Sequence, residues 1–417
     1  MRSGEKDICA WFVRPASWPG RAVLMAVLAA AVVQTARHTR DGGMDNGIVV
    51  DAARTWLRGG SPYADPHFLY LPSAVLAGVP QAVLPLTVLR AAVPLAVAGC
   101  LLGGWVCALR LHGVPVRSRF AVLGATALAL GFAPFGHLVR LGNWTAVAAL
   151  ALPAALLLAH RGRWTAAGAV VGAAIAVKPL LVPVLLLFVL ARRWRGLAAA
   201  VLVPAAASGL AALLMPDPAG FLTRTLPFLL RGGDDFMRPY EMSPAAVLPR
   251  LGVPEHAASL LATAAAGCLV WCAYRRWRRG GPGPARLAET AAPLLLAAFL
   301  ASRTSYDHYL MAVVPVLLAG ALEPGAVARG PWFWAALVPQ VPGFSLPYLE
   351  AETRRAFRDA VTLCVLAAAV GRRAATGAVP GRRGPRPAAG EARPAAETED
   401  PAAEGERPAV GAERPGH

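Results

Sequence analysis

The chain has 417 residues, 56% of them apolar and only 16% charged, with a formal net charge of +17 and a mean hydropathy of +0.49. Soluble domains carry about 25% charged residues, and here apolar runs recur from Arg21 to Arg373. A soluble cytosolic enzyme, a disulfide scaffold and a repeat solenoid are therefore excluded, and the expected fold class is an all-α polytopic membrane protein.

The charge is not a nucleic-acid footprint. Lys6 and Lys178 are the only lysines, and the arginines sit in short clusters between apolar runs. Loops that set membrane topology look like this, so a lipid bilayer is the expected partner and no nucleic acid is. The cysteines (Cys9, Cys100, Cys107, Cys268, Cys272 and Cys364) form no CxxC. Most lie inside apolar runs and read as small core fillers.

Residues 1–20 read as a basic cytoplasmic segment, and 21–36 as a first span that stays uncleaved. A polar loop, Arg37 to Tyr70, follows. The stretch 71–86 is interrupted by Pro72, Pro80 and Pro85. It reads as re-entrant or interfacial, because a full crossing would put Arg110 to Arg119 outside. The next spans are 87–109, 119–136 and 143–160. The run 164–191 breaks at Lys178-Pro179, since the residue before a proline disfavours the helical region. Later spans are 196–215, 256–274, 287–301, 305–322, 331–347 and 355–371. The count is about twelve, with both ends cytoplasmic. The resulting domains are 1–20, a transmembrane body over 21–373 and a cytoplasmic tail over 374–417. The tail is rich in Pro, Ala, Gly, Glu and Arg, lacks aromatics, and is expected to be disordered.

Under this threading the polar residues gather on the outer face. In the first outer loop, Ile48, Ala52, Ala53, Trp56 and Leu57 suit an interfacial amphipathic helix. Asp45 stands at its start, where the helix dipole favours a carboxylate; the blander reading of Asp45 is a helix N-cap. Asp41 and Asp51 are further acids of the same loop. Lys178 ends an apolar segment at the outer boundary. It reads either as a snorkelling anchor or as a point charge for a lipid phosphate. Ser302 through Asp307, His308 and Tyr309 form a second polar cluster, His137, Arg140, Asn143 and Trp144 a third, and Asp234, Asp235, Arg238 and Glu241 a fourth. His308 has no second histidine at ligand spacing, so no metal is expected. No phosphate-cradling glycine loop, GxSxG elbow or HExxH occurs.

Four segments carry a resemblance. The first runs from Asp45 through Ala52-Ala53, Leu57 and Gly59-Gly60-Ser61-Pro62-Tyr63 to Phe68-Leu69-Tyr70-Leu71-Pro72. The second is Leu141-Gly142-Asn143. The third is Ala167-Gly168 through Gly172, Ala176 and Lys178-Pro179 to Arg192-Arg193-Trp194. The fourth is Ser302 through Tyr306-Asp307-His308-Tyr309. In these the chain resembles glycosyltransferase family 87, the polyprenol-phosphate-mannose-dependent mannosyltransferases, and related arabinofuranosyltransferases. It departs from the pattern at Val49, where a tyrosine is usual, and at Arg303, where a proline is usual.

The resemblance implies a GT-C-like fold in the plasma membrane, with interfacial helices in the first outer loop and an extracytoplasmic site. It implies inverting, cofactor-free transfer of a mannose- or arabinofuranose-class sugar. The donor would be a polyprenyl-phosphate sugar and the acceptor a glycolipid or polysaccharide of the cell envelope. Asp45 matches the general base. Lys178, Arg140, Arg303 and His308 become candidate donor-phosphate contacts, and Tyr63, Tyr70, Asn143 and Asp307 candidate substrate contacts. The alternative is a transporter or flippase for a lipid-linked sugar, which predicts mid-span charges and internal repeats.

Overall fold

The computed structural model describes residues 3–39, 42–231, 238–349 and 351–376, and these are all-helical. Asp41, Asp234, Asp235 and the tail beyond 376 lie outside the described residues. Five described helices are long and apolar enough to cross a bilayer: Trp18–His38, Leu86–Leu111, Trp194–Leu213, Glu255–Arg279 and Pro284–Ala301. The chain is a multi-pass membrane protein.

Several of the other expected spans are shorter or broken, for reasons visible in the sequence. The stretch expected as span 119–136 divides into Arg119–Gly131 and Ala133–Leu141, bent by 71°. Phe132 at the corner is extended, and Pro134 opens the second helix. The region 305–322 is a 3-10 turn, Asp307–Ala312, then the short helix Val314–Ala319 and another turn. In place of a helix over 331–347 there is Pro331–Leu337 and one 3-10 turn to Gln340, after which Pro342 and Gly343 end regular structure. At 1.5 Å per residue such pieces fall well short of a hydrocarbon core about 30 Å thick. The helix Pro72–Ala82, of 11 residues, is likewise too short to cross.

The break at Lys178-Pro179 is present. The helix Trp164–Val177 stops, Lys178 is extended at φ −150° and ψ 123°, and a 3-10 turn runs Pro179–Val184 before Leu185–Leu190. Stopping a helix orphans its last carbonyls. Here the Ser73 hydroxyl donates to the carbonyl of Ala176 at 2.5 Å, joining Pro72–Ala82 to the break.

Small residues bring the helices together. A Cβ on Gly168 would lie 1.9 Å from the carbonyl oxygen of Gly196, so only glycine lets Trp164–Val177 touch the backbone of Trp194–Leu213 there. Membrane helices pack in this way because lipid offers no hydrophobic drive between them. The large apolar core runs through these helices and Leu86–Leu111, Thr145–His160 and Pro284–Ala301. A smaller core is formed by Val49, Ala53, Tyr63, Phe68, Tyr70, Val75 and Trp144, in and around the loop that follows the first long helix.

Candidate active site

The first loop folds as the helix Met44–Leu57. Its buried residues are Asn46, Val49, Val50, Ala52 and Ala53, whereas Leu57 is exposed. The buried stripe is therefore rotated from the one the apolar residues suggested, because the helix packs on Pro72–Ala82 through Val49 and Gly78. Gly43, at φ 126°, precedes the helix, and Asp45 lies in its first turn without being the N-cap.

Glycine geometry places Asp45 against the second segment. A Cβ on Gly43 would meet the Leu141 carbonyl carbon at 2.3 Å, and one on Gly142, itself at φ 60°, would meet the Gly42 carbonyl oxygen at 2.4 Å. The two loops thus cross backbone to backbone, in conformations that L side chains resist. That crossing brings Asn143 to Asp45, and the Asn143 amide donates to the carboxylate. The other face of the same amide accepts from Lys178 Nζ at 2.8 Å and from the Thr145 backbone N–H at 2.7 Å. Next door, Trp144 Nε1 donates to Asn46 Oδ1 at 2.9 Å. Asn143 therefore joins a carboxylate and an ammonium and fixes both.

Lys178 reaches this point because the helix break frees it from a helical path. Its ammonium stands 4.8 Å from the Tyr309 ring centre and 5.7 Å from that of Tyr70, within cation–π range. Burial pushes it down to about 8, with the Asp45 charge opposing that shift. The Tyr70 hydroxyl is pushed up by burial first and by the nearby Asp45 charge second, so it stays neutral.

Asp45, Asn143, Lys178, Tyr70 and Tyr309 line one cavity of about 720 Å³. Asp45, Tyr70, His137, Arg140, Asn143, Lys178, Asp307, His308 and Arg355 supply its polar wall, while Ile48, Leu69, Leu180, Val182 and Leu229 are among its apolar residues. A cavity that offers both charged and apolar residues suits a ligand with a charged head and a hydrocarbon chain. His308 is buried, stacked on Tyr306 at 5.6 Å, and its Nε2 has no hydrogen-bond partner among the described residues. Asp307 accepts from the His308 backbone N–H at 2.8 Å and pairs with His137 Nδ1.

Two residues singled out in the sequence lie elsewhere. Arg303 lines a separate groove with Glu255, His256 and Ser259; Ser302 and Thr304 on either side of it face the main cavity. Tyr63 is fully buried beneath the loop, and its hydroxyl donates to the Tyr70 carbonyl at 3.3 Å, so it supports the wall without lining it. Conversely, Arg355 and its ion-pair partner Asp359, 3.9 Å apart, escaped sequence reasoning. The one available signal was Asp359, an acid buried inside a long helix, Ala351–Thr376.

The profile of glycosyltransferase family 87 matches residues 68–303. That span holds Asn143 and Lys178, with Asp45, Asp307, His308 and Arg355 outside it. The chain is 29% identical over 334 residues to an alpha-(1->3)-arabinofuranosyltransferase of Mycobacterium tuberculosis, covering 77% of this chain and 74% of the relative. A Mycolicibacterium smegmatis enzyme of the same name is 29% identical over 66% of this chain and 64% of its own. A Corynebacterium glutamicum counterpart is 27% identical over 40% of each chain. No solved structure matches. With more than half its length matched, and with motif glycines, Asn143 and Lys178 assembled around one cavity, the chain belongs to glycosyltransferase family 87 and is a membrane glycosyltransferase.

Proposed function

We propose that this enzyme transfers a sugar from a polyprenyl-phosphate donor to a cell-envelope glycolipid or polysaccharide on the extracytoplasmic side of the plasma membrane. The names of its relatives favour arabinofuranose over mannose as the sugar. The observation that carries the reading is the cluster Asp45–Asn143–Lys178 in a cavity lined by both polar and apolar residues. It supplies a carboxylate and a cation in fixed relation, the two groups that this transfer needs.

In the proposed step, Asp45 takes the proton of the acceptor hydroxyl as that oxygen attacks the anomeric carbon. The bond from that carbon to the phosphate oxygen breaks, and polyprenyl phosphate leaves with the electron pair, inverting the anomeric centre. The leaving group is already a good one, so positioning and charge stabilisation are the main demands. Lys178, with Arg140 and the unpartnered His308 Nε2, receives the phosphate. Tyr70, Asn143 and Asp307 contact or orient the sugars.

A transporter would use similar polar residues, but it has no need of a carboxylate and a cation fixed in relation to each other through Asn143. The test is incubation of the purified full chain with labelled decaprenyl-phosphate arabinofuranose or mannose and an envelope glycan extract. Transfer of label to glycan from one donor supports the proposal. Movement of intact donor across a vesicle with no transfer would sink it.

A further inference from the structure

The cavity has a second cationic pole that lies beyond the family match. We infer that Arg355 is a further phosphate contact of the cavity, and that buried Asp359 is the residue that positions it. This rests on the reading of a lipid-phosphate substrate given above.

Arg355 comes from Ala351–Thr376 and lines the cavity with a side chain about one third exposed, at 34%. Three groups surround it. Its guanidinium lies 4.8 Å over the Tyr240 ring. Tyr240 is kept there because the next residues are tied to the cavity wall: Glu241 bridges to Tyr306, and the Met242 N–H donates to the Ser305 carbonyl at 2.7 Å. Behind Arg355 stands Asp359, with 0% exposure. In front is His137, whose Nδ1 is 3.5 Å from Arg355 Nη2.

Donor accounting shows what this arrangement lacks. Asp307 pairs with the same His137 nitrogen. An ionised carboxylate only accepts, so Nδ1 carries the proton toward Asp307 and has nothing to offer Nη2. Two donors therefore face one another. On the other side, Arg355 Nε and Asp359 Oδ2 are 3.9 Å apart, beyond hydrogen-bond reach, and both lack a hydrogen-bond partner among the described residues. Asp359 Oδ1 is already occupied by Gln340 Nε2 at 2.7 Å and Arg358 Nε at 3.1 Å. Arg355 thus lines the cavity as a cation paired with Asp359 only at ion-pair distance, with no hydrogen-bond acceptor in place among the described residues. A phosphate oxygen supplies that acceptor, and the guanidinium fork matches phosphate geometry.

The phosphate could belong to the donor or to a phosphate-bearing acceptor, and binding measurements separate the two. The full-length protein in nanodiscs is titrated with decaprenyl phosphate, with neutral decaprenol and with phosphatidylglycerol. R355Q should weaken decaprenyl phosphate about tenfold while leaving decaprenol unchanged, as expected for one charge-assisted contact. R355K should keep part of the affinity. D359N should fall between wild type and R355Q, again without changing decaprenol. A loss confined to phosphatidylglycerol also supports the inference and places the phosphate that Arg355 meets on a lipid other than the donor. R355Q binding all three lipids as wild type overturns it, and so does an equal loss for decaprenyl phosphate and decaprenol, which marks a merely structural role. If wild type does not distinguish decaprenyl phosphate from decaprenol, the donor reading itself falls along with the inference; wild-type discrimination with an unaffected R355Q overturns the inference alone.

Discussion

The cavity has two polar walls built on different plans. On one, Asp45, Asn143 and Lys178 are linked by direct hydrogen bonds, and the loops that carry Asp45 and Asn143 touch backbone to backbone through glycines. On the other, His137, Asp307 and Arg355, the last backed by buried Asp359, come from the short helix Ala133–Leu141, the turn Asp307–Ala312 and the long helix Ala351–Thr376. There the closest contacts of Arg355 are loose. A rigid wall suits proton transfer, where a misplacement of about 1 Å is costly. A wall with slack suits a further contact to the head group that Lys178 receives, since a phosphate brings its own acceptors.

The sharpest way to break this comparison is at the base. Asp45→Asn should lower turnover by about a hundredfold to ten-thousandfold, the usual worth of a general base, with donor affinity little changed. Lys178→Met should instead raise the donor KM by about tenfold to a hundredfold, the loss of one charge-assisted contact, and should affect turnover less. The same ammonium gives a pH signature. It is charged below its value of about 8 and neutral above it, so wild-type donor KM should rise as pH passes upward through 8. Lys178→Arg should remove that limb, because a guanidinium stays charged. Ser73→Ala removes the hydroxyl that satisfies Ala176 and should lower thermal stability by about 1 kcal/mol with KM unchanged. Smallest of all, Arg303→Ala should keep the donor KM within about twofold, because Arg303 lines the other groove. A tenfold rise there would mean that the phosphate lies on the far side of the Ser302–Thr304 wall.

The two walls also differ in how far they could be read from the sequence. Asp45, Asn143 and Lys178 were legible because each sits in a short motif, and because Lys178-Pro179 announces a helix break that local backbone sterics enforce. The pairing of Gly43 with Leu141-Gly142 was not legible, since nothing local says which loop a glycine must meet. Arg355 and Asp359 were hidden for a different reason. Arginine and aspartate four residues apart on a helix look like an ordinary surface pair, and only tertiary packing shows that Asp359 is buried while Arg355 reaches a cavity. The helical class and the apolar runs followed from composition. The lengths of the spans did not, because prolines such as Pro134, Pro315 and Pro339 cut apolar runs into pieces too short to cross a bilayer.

The most direct measurement compares wild type and Asp45→Asn for transfer from labelled decaprenyl-phosphate sugar, at equal protein and saturating donor, together with donor binding to each. The account predicts unchanged donor binding and a loss of transfer of about a hundredfold or more. Transfer by the variant at the wild-type rate would contradict it.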